Sequence, residues 1–508
     1  MRRFLITIVI LFISFAAFCQ KNQKKAKIDS AGYYLSEGEF IKAIQFLNIT
    51  INTQPSAEAY ITRGLAKIEI NDLQGSLEDL KNGLQLDPQN DTCYYNIGYI
   101  LYLKANYEES VHYFDSALSK SEGNIYYLLA RGDSFLEMDN LTLAQKNYRK
   151  VITIDAEADL GYYGIAMCHF YDENYDSAKY YLSYAITFDP FDSDYYYQRA
   201  LCKYYGDDTE GAMKDLNFAI DVDPENIEAI STRAEILTEY MQLDEALEDL
   251  NFALTIDSMN LELLNSRGNI LILNGEYNQA IKDFSLIINI DQQIDIAYFN
   301  RGLSFYFLEN YTKAFNDFSS SILLNNQEED YFTYRGLSLL AADKIDEAFE
   351  DFLSAIDINP LNPDPYFRRS TAYYEIEDYQ SALDDLDKTF KLDPEFPGIF
   401  LMRAEIYSAL NENEKALKNY DLSILNNPDN GEVFFKRGIF LYETENFEGA
   451  MEDFNYAILL DENIPAPYTN RGLLKLELKD KSGACDDWKK AFQLGSEYAQ
   501  ELLKKHCK

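Results

Sequence analysis

The sequence predicts an all-α protein built as a linear array of helical hairpins, and three observations support this prediction. Small residues recur every 34 positions, apolar residues fall at helical spacing on both sides of short polar turns, and proline recurs at one place in the repeat. Gly302 illustrates the first observation. A glycine inside a helix costs about 1 kcal/mol relative to alanine, so a helix that keeps one generally needs the absence of a side chain.

The 34-residue spacing runs without a slip through thirteen repeats. Its small residues are Gly64, Gly98, Gly132, Ala166, Ala200, Ala234, Gly268, Gly302, Gly336, Ser370, Ala404, Gly438 and Gly472. A second small position follows twelve residues later, at Ser76, Ser110, Ala144, Ala178, Ala212, Ala246, Ala280, Ala314, Ala348, Ala382, Ala416, Ala450 and Ala484. We expect two helices of each repeat to cross closely at these positions.

Each repeat has the pattern of a helix, a turn and a second helix. The stretch FLENYTKAF, from Phe307 to Phe315, places apolar residues on both sides of a polar turn. Proline is expected to stop the second helix of six repeats, at Pro88, Pro190, Pro224, Pro360, Pro394 and Pro428. Residues 57–498 are therefore predicted to form thirteen hairpins in register.

Both ends of the array depart from the regular repeat. Residues 24–56 are predicted to form a degenerate first hairpin, because the stretch from Ala31 to Ile49 fits the same pattern with a connection one residue shorter. Residues 496–508 are predicted to form a single, more polar helix. Solenoids need such atypical ends to shield their terminal faces, so this last helix is expected to cap an array of about 14 hairpins.

A 34-residue helix–turn–helix unit with these small positions resembles the tetratricopeptide repeat. The family's large fourth position is filled by Tyr60, Tyr94, Leu128, Tyr162, Tyr196, Ile230, Leu264, Tyr298, Phe332, Tyr366, Phe400, Phe434 and Tyr468. Its bulky twenty-fourth position is filled equally regularly, from Leu80 and Phe114 to Phe454 and Trp488. The resemblance implies a right-handed superhelical solenoid that binds a protein or peptide in a concave groove lined by the first helices.

Composition restricts the partners. The formal net charge of the 508 residues is -40, from 85 acidic and 45 basic side chains. This charge repels phosphate backbones and anionic membrane surfaces, so nucleic-acid binding is not expected. A basic or a neutral protein or peptide fits better. Since 47% of the residues are hydrophobic and 15% are aromatic, the chain has enough apolar surface to fold despite its charge.

The N-terminus has the layout of a secretory signal. Two arginines precede an apolar run from Phe4 to Phe18, which is short for a membrane span. We expect residues 1–19 to be cleaved and the mature chain, without a membrane span, to be periplasmic or extracellular, in a bacterial cell envelope. Lipoprotein anchoring through Cys19 is the alternative, although Phe18 fits it poorly. N-x-T sequons at Asn48, Asn140 and Asn310 leave a eukaryotic secretory origin open.

Arginine precedes the small residue in eleven repeats, and an acceptor stands sixteen residues after it. The pairs include Arg301 with Asp317 and Arg335 with Asp351. The two repeats that lack the arginine have isoleucine, at Ile97 and Ile165, and they carry tyrosine at the acceptor position. We therefore predict an Arg–Asp or Arg–Asn hydrogen-bonded pair that bridges each of the eleven hairpins and specifies the fold.

The sequence predicts no catalytic site, metal site or cofactor. The three histidines lie in different repeats, and the neighbours Cys168 and His169 would point to different faces of one helix. No C-x-x-C, phosphate-binding loop or H-E-x-x-H motif is present. Cys485 and Cys507 either form a disulfide that fixes the last helix, as an exported chain permits, or remain packed free thiols.

Aromatic side chains are the candidate binding residues. The fifth position, from Ile61 to Thr469, contains no lysine, so the family's clamp for chaperone C-terminal tails is absent. Tyrosine offers a large contact area with a polar tip. The predicted groove set is Tyr95, Tyr99, Tyr102, Tyr163, Phe170, Tyr197, Tyr204, Phe299, Tyr306, Phe367 and Tyr374. The predicted function is a non-catalytic scaffold for a protein or peptide, and the alternative is a receptor for an extracellular glycan or small ligand.

Overall fold

The computed structural model describes residues 30–507, and this part of the chain is helical without strands. It divides into two compact units, the first ending at Ile256 and the second beginning at Asp257. The helices of the N-terminal unit are α1 (Ser30–Ser36), α2 (Phe40–Thr53), α3 (Ala57–Glu69), α4 (Leu73–Leu86), α5 (Asp91–Leu103), α6 (Tyr107–Lys120), α7 (Ile125–Glu137), α8 (Leu141–Ile154), α9 (Asp159–Tyr171), α10 (Tyr175–Phe188), α11 (Ser193–Tyr204), α12 (Thr209–Val222), α13 (Ile227–Glu239) and α14 (Leu243–Ile256).

The C-terminal unit continues the alternation of first and second helices and adds one terminal helix. Its helices are α15 (Leu261–Leu273), α16 (Tyr277–Ile290), α17 (Asp295–Phe307), α18 (Tyr311–Leu324), α19 (Glu329–Leu340), α20 (Ile345–Ile358), α21 (Asp364–Glu375), α22 (Tyr379–Leu392), α23 (Ile399–Ala409), α24 (Asn413–Asn426), α25 (Gly431–Glu443), α26 (Phe447–Leu460), α27 (Pro465–Glu477), α28 (Lys481–Gln493) and α29 (Glu497–His506). None of these 29 helices has the length and apolar character needed to cross a bilayer.

Consecutive helices pack as hairpins, so the predicted all-α class of paired helices is confirmed. The predicted signal segment, residues 1–19, and the alternative anchor Cys19 lie outside the described residues. The first hairpin is described from Ser30 onward, as α1 and α2. The predicted terminal helix corresponds to α29.

The hairpin turns share one backbone conformation. One residue between the two helices adopts a left-handed conformation, and it is glycine at Gly275 (φ 76°). Twelve further turns place a residue with a side chain there, namely Asn71, Ala105, Asp139, Glu173, Asp207, Met241, Glu309, Asp343, Glu377, Asn411, Glu445 and Lys479. In many repeats the next residue caps the second helix, as Asp72 does by accepting the backbone N–H of Gly75 at 2.9 Å. The turn is therefore held by the side-chain cap and by packing rather than by glycine.

Close packing between the two helices of a hairpin explains the recurring glycine. A Cβ atom at Gly302 would lie 2.7 Å from Cε1 of Phe318, which belongs to the facing helix α18. Phe318 itself is fully buried. The same overlap recurs between Gly98 and Phe114, at 2.8 Å. Thus glycine makes room for an aromatic ring sixteen residues later.

In three repeats, alanine occupies the same position and leucine is the residue sixteen positions later. Ala166, Ala200 and Ala234 face Leu182, Leu216 and Leu250, sixteen residues later, and all six side chains are buried. A larger residue at one of these two positions is therefore combined with a smaller residue at the other. Both pairs occur at the same two positions of the 34-residue repeat.

Candidate functional site

A repeated arginine fixes each first helix to its second helix. Arg301 Nε and Nη2 donate to the two carboxylate oxygens of Asp317, both at 2.8 Å. Asp317 is buried, and the guanidinium keeps its flat face near the Tyr298 ring, 5.7 Å from the ring centroid. Such a bidentate pair fixes orientation as well as position. Nine of the eleven predicted pairs have this geometry, and in a tenth Arg131 donates from Nε and Nη2 to the single amide oxygen of Asn147.

The eleventh predicted pair is wrong. Arg403 does not bond Asn419 but the carboxylate of Asp387, in the preceding hairpin. The amide nitrogen of Asn419 donates instead to the carbonyl of Lys415 at 2.8 Å. Arg131, which also has an asparagine as its predicted partner, bonds both Asn147 and the aspartate of the preceding hairpin, Asp115, so an asparagine acceptor alone does not explain the loss of the pair at Arg403. The core differs here as well, because Ala404 rather than glycine precedes an aromatic residue, Tyr420.

The arginines also bind residues of the preceding hairpin, which the sequence did not lead us to predict. Arg301 Nη1 donates to the Ser285 hydroxyl at 3.1 Å, sixteen residues earlier and on the second helix of the preceding hairpin. Arg233 does the same with Asn217 at 2.6 Å. Each such side chain therefore joins its own hairpin to the previous one. The signal was available in the sequence as a polar residue recurring sixteen positions before the arginine.

The predicted groove residues are not equally accessible. Tyr95, Tyr99 and Phe299 are buried, with 4%, 7% and 8% of their surface exposed. They pack against rings of the next repeat or of their own hairpin, as Tyr95 does on Tyr127, with centroids 4.9 Å apart. The expectation that these three side chains line an open groove is therefore wrong. The half-buried members are Tyr102, Tyr163, Phe170, Tyr197, Tyr204, Tyr306, Phe367 and Tyr374.

Several half-buried rings pack at the hairpin turn. Tyr102 lies 5.5 Å from Tyr107, and Tyr374 lies 5.8 Å from Tyr379, so the end of the first helix meets the start of the second. The hydroxyl of Tyr204 donates to Glu239 of the next first helix at 2.6 Å. These rings are therefore partly structural, and they keep only their remaining surface for a ligand.

Four successive first helices of the N-terminal unit form what we call the acidic–aromatic face: Tyr95 and Tyr99 of α5, Asp133 of α7, Tyr163 of α9 and Asp194 of α11. Their charges act on one another. Burial raises the pKa of Tyr95, and the Tyr99 phenol and the Asp133 carboxylate add to the rise. Burial likewise raises the pKa of Tyr163, with contributions from Asp194 and Asp133.

The carboxylates of this face resist ionisation. Burial raises the pKa of Asp133 to about 7, against the opposing effect of a hydrogen bond from the Tyr148 hydroxyl at 2.7 Å. Burial, followed by the negative charges of Asp192 and Glu228, raises the pKa of Asp194 to about 6. Partial burial raises the pKa of a carboxylate when no cation lies beside it.

The basic side chains of these four helices are already bound to residues of second helices. Helices α5, α7, α9 and α11 contain three arginines and lysines, namely Arg131, Arg199 and Lys203. Arg131 bonds Asn147 and Asp115, while Arg199 and Lys203 both bond Asp215. The negative charge of the acidic–aromatic face is therefore left without a matching cation from these helices.

The C-terminal unit treats its first-helix carboxylates differently. Lys436 binds Glu405 of the preceding first helix at 2.6 Å. Arg368 binds Asp364 of its own helix at 3.1 Å. In this unit, basic side chains of first helices therefore bind first-helix carboxylates, whereas Arg131, Arg199 and Lys203 of the N-terminal unit bind second-helix residues.

Within residues 30–507, cysteine and histidine side chains do not come together as a reactive pair. Burial raises the pKa of the Cys168 thiol to about 12, so it stays protonated at neutral pH. Its neighbour His169 bonds Gln145 at 3.0 Å and stacks on Tyr181. Cys485 and Cys507 form a disulfide, which fixes α29 to α28. Among the described residues, no group of three or more Cys, His, Asp or Glu side chains could hold a metal ion.

Sequence models of the tetratricopeptide repeat match residues 401–467 and residues 92–120. The TPR repeat-containing protein MJ1428 of Methanocaldococcus jannaschii is 25% identical over 129 residues, which are 25% of this chain and 22% of that protein. The chain thus matches about a fifth of the length of this relative. With thirteen hairpins at 34-residue spacing, the chain is similar to tetratricopeptide repeat proteins.

Solved structures of repeat proteins are similar to the chain at low sequence identity. A tetratricopeptide repeat protein from Parabacteroides merdae is 16% identical, with a TM-score of 0.42 and coverage of 48% of this chain and 97% of that one. The APC/C hetero-tetramer Cut9–Hcn1 is 14% identical, with a TM-score of 0.42 and coverage of 98% and 99%. YrrB, a TPR protein with an unusual peptide-binding site, is 22% identical, with a TM-score of 0.31 and coverage of 37% and 97%.

Proposed function

We propose that the protein is a non-catalytic scaffold, exported to the cell envelope, that holds a protein or peptide along its first helices. The observation that carries the proposal is the side chains these helices present. Half-buried rings such as Tyr163 and Tyr197 stand among carboxylates that have no matching cation on four successive first helices. Rings with polar tips and unmatched charge are features of recognition surfaces.

Export is supported by the chemistry of the C-terminal end. A disulfide such as Cys485–Cys507 persists in oxidising compartments and is rare in a reducing cytosol. The predicted signal segment agrees with this compartment. Thiol labelling of chain extracted directly from cells tests it: we expect Cys485 and Cys507 to react with a maleimide only after reduction. Labelling before reduction would argue for a reducing compartment.

Site-specific photo-cross-linking in cells tests the binding surface. A photoreactive phenylalanine is placed at Tyr163 or Tyr197 on first helices, and at Tyr180 or Tyr456 on second helices as matched controls. The controls are 57% and 52% exposed. We expect a discrete protein adduct from the first-helix positions only. Equal adducts from the control positions would contradict a partner held on the first helices.

A glycan or small-ligand receptor is the second candidate, because partly exposed tyrosine rings also suit saccharides. Its test uses the double variant Tyr163→Ala with Tyr197→Ala. Loss of binding to envelope saccharides, together with the absence of any protein adduct in the cross-linking experiment, would favour this receptor over the scaffold. Retention of saccharide binding by the variant would reject it.

A further inference from the structure

One second helix departs from the acidic charge of the protein. Helix α8 contains Lys146, Arg149 and Lys150 and no acidic residue, although the whole chain has a net charge of -40. No other helix of residues 30–507 has a net charge above +1. All three side chains are exposed, and residues three and four positions apart lie on one face of a helix. Helix α8 therefore presents a positive face to solvent.

This positive charge is not neutralised within the described part of the chain. Among residues 30–507, none of the three side chains is in an ion pair. On the preceding second helix, Asp115 fills the repeat position of Arg149 but binds Arg131. On the following second helix, Asp176 binds Lys179 at 2.8 Å. The cations of α8 therefore remain available to an anion outside the protein.

The following second helix, α10, presents tyrosine rings at the corresponding positions. Tyr180 and Tyr184 lie 34 residues after Lys146 and Lys150. Their side chains are 57% and 39% exposed. The two ring centroids are 5.1 Å apart, and the two hydroxyl oxygens are 3.2 Å apart. The rings therefore form one exposed surface whose polar tips bond each other.

His169 of α9 joins the cationic helix to the aromatic one. Its ring nitrogen Nε2 lies 3.0 Å from Nε2 of Gln145 on α8, and its ring stacks on Tyr181 of α10 with centroids 5.5 Å apart. Tyr181 in turn contacts Tyr180 at 5.3 Å. Burial lowers the pKa of His169, and the positive charge of Arg149 lowers it further. One continuous surface, which we call the basic–aromatic patch, therefore carries Lys146, Arg149, Lys150, Tyr180 and Tyr184.

We propose that the basic–aromatic patch binds an acidic saccharide, in which each sugar ring carries its own carboxylate. A hexuronate residue supplies an anion for a cationic side chain and a C–H face for an aromatic ring in one unit. The patch supplies the complementary groups side by side, because Lys146 and Tyr180 occupy one repeat position in adjacent hairpins. The patch lies on second helices, so the inference goes beyond the proposed scaffold function and does not depend on it.

Two other anionic ligands fit the patch less well. A nucleic acid carries a phosphate for every base, and a chain of net charge -40 repels such a dense row of charges. An acidic peptide carries carboxylates without a flat ring beside each one, so it leaves Tyr180 and Tyr184 with little to contact. A saccharide spaces its charges by whole sugar rings, and its hydroxyl groups are donors and acceptors for the phenol tips.

Fluorescence anisotropy on the full chain tests the site with three labelled probes. The probes are a galacturonate hexamer, a galactose hexamer and a glutamate hexapeptide. The cation variant removes the positive charge of α8 and consists of Lys146→Gln, Arg149→Gln and Lys150→Gln. Its control removes the same charge from exposed lysines on second helices of the C-terminal unit and consists of Lys282→Gln, Lys418→Gln and Lys489→Gln. Net charge is therefore equal in the variant and its control.

We expect the cation variant to weaken binding of the galacturonate hexamer about ten-fold, with little change in its control. A ring variant, Tyr180→Ala with Tyr184→Ala, should weaken the same binding about five-fold without changing the charge. Its control, Phe252→Ala with Tyr456→Ala, removes rings that are 46% and 52% exposed on other second helices and should bind as wild type does. The galactose hexamer and the glutamate peptide should bind wild type more weakly than the galacturonate hexamer does.

Four results would overturn the acidic saccharide. An unchanged dissociation constant for the galacturonate hexamer in the cation variant or in the ring variant would remove the site. An equal loss in the cation control would assign the binding to net charge alone. Binding of the glutamate peptide as tight as that of the galacturonate hexamer would identify an acidic peptide as the occupant. Equally tight binding of the galactose hexamer would show that the carboxylate is not recognised.

Thermal unfolding separates the loss of a ligand contact from damage to the fold. Tyr184 stacks on Tyr162 with centroids 5.3 Å apart. If the ring variant therefore has a lower melting temperature than wild type, Tyr180→Ala alone, which removes the more exposed ring, takes its place in the comparison. Two results keep the proposals distinct. Tyr163→Ala with Tyr197→Ala should bind the galacturonate hexamer as wild type does, and a protein cross-linked at Tyr180 would overturn the saccharide without affecting adducts at the first helices.

Discussion

Gly302 and Phe318 show how one residue decides the spacing of two helices. Adding a methyl group at Gly302 places it 2.7 Å from the ring of Phe318, which is too close without movement of the ring. The gain in helix propensity, about 1 kcal/mol, is smaller than the overpacking cost of a tight core, which reaches about 3 kcal/mol. We expect Gly302→Ala to lower the free energy of unfolding by about 1–2 kcal/mol in urea denaturation.

Two further variants check this explanation. Gly32 lies in helix α1 with no atom within 4 Å of an added Cβ, so Gly32→Ala should not destabilise the protein. Phe318→Leu should partly rescue Gly302→Ala, because the chain itself faces alanine with leucine at Ala166 and Leu182. Strictly additive losses in the double variant would contradict direct contact as the cause.

Asp133 carries a pH dependence that can be isolated by one substitution. Burial raises its pKa from the ordinary 3.8 to about 7, so the folded state holds a proton that the unfolded state has lost. Stability therefore falls as pH rises from about 4 to about 7, and the penalty persists above that range. In Asp133→Asn the penalty disappears while the Tyr148 hydroxyl keeps an acceptor.

We expect Asp133→Asn to gain on the order of 2 kcal/mol over wild type at pH 8, after allowance for solvent screening. The gain should shrink toward pH 4. Urea denaturation at pH 5 and pH 8 measures it, with Glu248→Gln, an exposed carboxylate change on α14, as the control. A gain that does not change with pH would show that Asp133 ionisation is not its source.

The burial of individual side chains was the feature that the sequence predicted least well. The repeat pattern places Tyr95 on a first helix, as the structure does. Its ring nevertheless packs inward on Tyr127, because the next first helix covers it. Asp133 was not singled out, since an acidic residue in an acidic chain carries no signal. Its importance depends on burial by neighbouring helices, which only the folded structure provides.

At the scale of the hairpin, the arginine pair connects two helices through a buried carboxylate. Asp351 is buried, 4% exposed, and accepts Arg335 at 2.6 and 2.8 Å. Removal of one partner leaves the other poorly solvated and typically costs about 3 kcal/mol. We expect Asp351→Ala to lose about this amount in urea denaturation, with the loss of amide protection concentrated in α19 and α20.

The chain itself supplies the compensating variant. Repeats without the arginine pack isoleucine beside tyrosine, as at Ile97 with Tyr113 and Ile165 with Tyr181. Arg335→Ile combined with Asp351→Tyr should therefore recover more than half of the loss caused by Asp351→Ala. If the double variant is as unstable as Asp351→Ala, apolar packing does not replace the contribution of the Arg–Asp pair.

The fold was more predictable than the site because every repeat supplies an independent copy of the same signal. Thirteen small residues in one register define the hairpins, and the paired exchange of Arg–Asp for Ile–Tyr identifies a contact inside each one. The Arg403 exception shows the limit of this reasoning. Asp387 and Asn419 are both possible acceptors in the sequence, and the sequence does not show that Arg403 bonds only the first.

At the scale of the whole molecule, stability in a repeat array is nearly a sum over neighbouring hairpins, so each end has fewer neighbours and frays most easily. Helix α29 is the end element of the C-terminal unit. It buries Ala499 and Leu502, and its last residue, His506, lies 5.7 Å from the Trp488 ring. The Cys485–Cys507 disulfide adds a covalent link where this noncovalent contact is small.

Breaking that link should loosen one end and leave the rest of the array unchanged. The bond closes a separation of 22 residues, for which the loop-entropy estimate is about 3 kcal/mol. We expect Cys485→Ser to abolish slow hydrogen exchange in α29, with the same protection as wild type in α15 to α26. Cys507→Ser and reduction of wild type should give the same pattern, since all three break one bond. Unchanged exchange in α29 would show that packing against Trp488 suffices to hold the end, whereas loss of protection throughout the C-terminal unit would show that its hairpins unfold cooperatively.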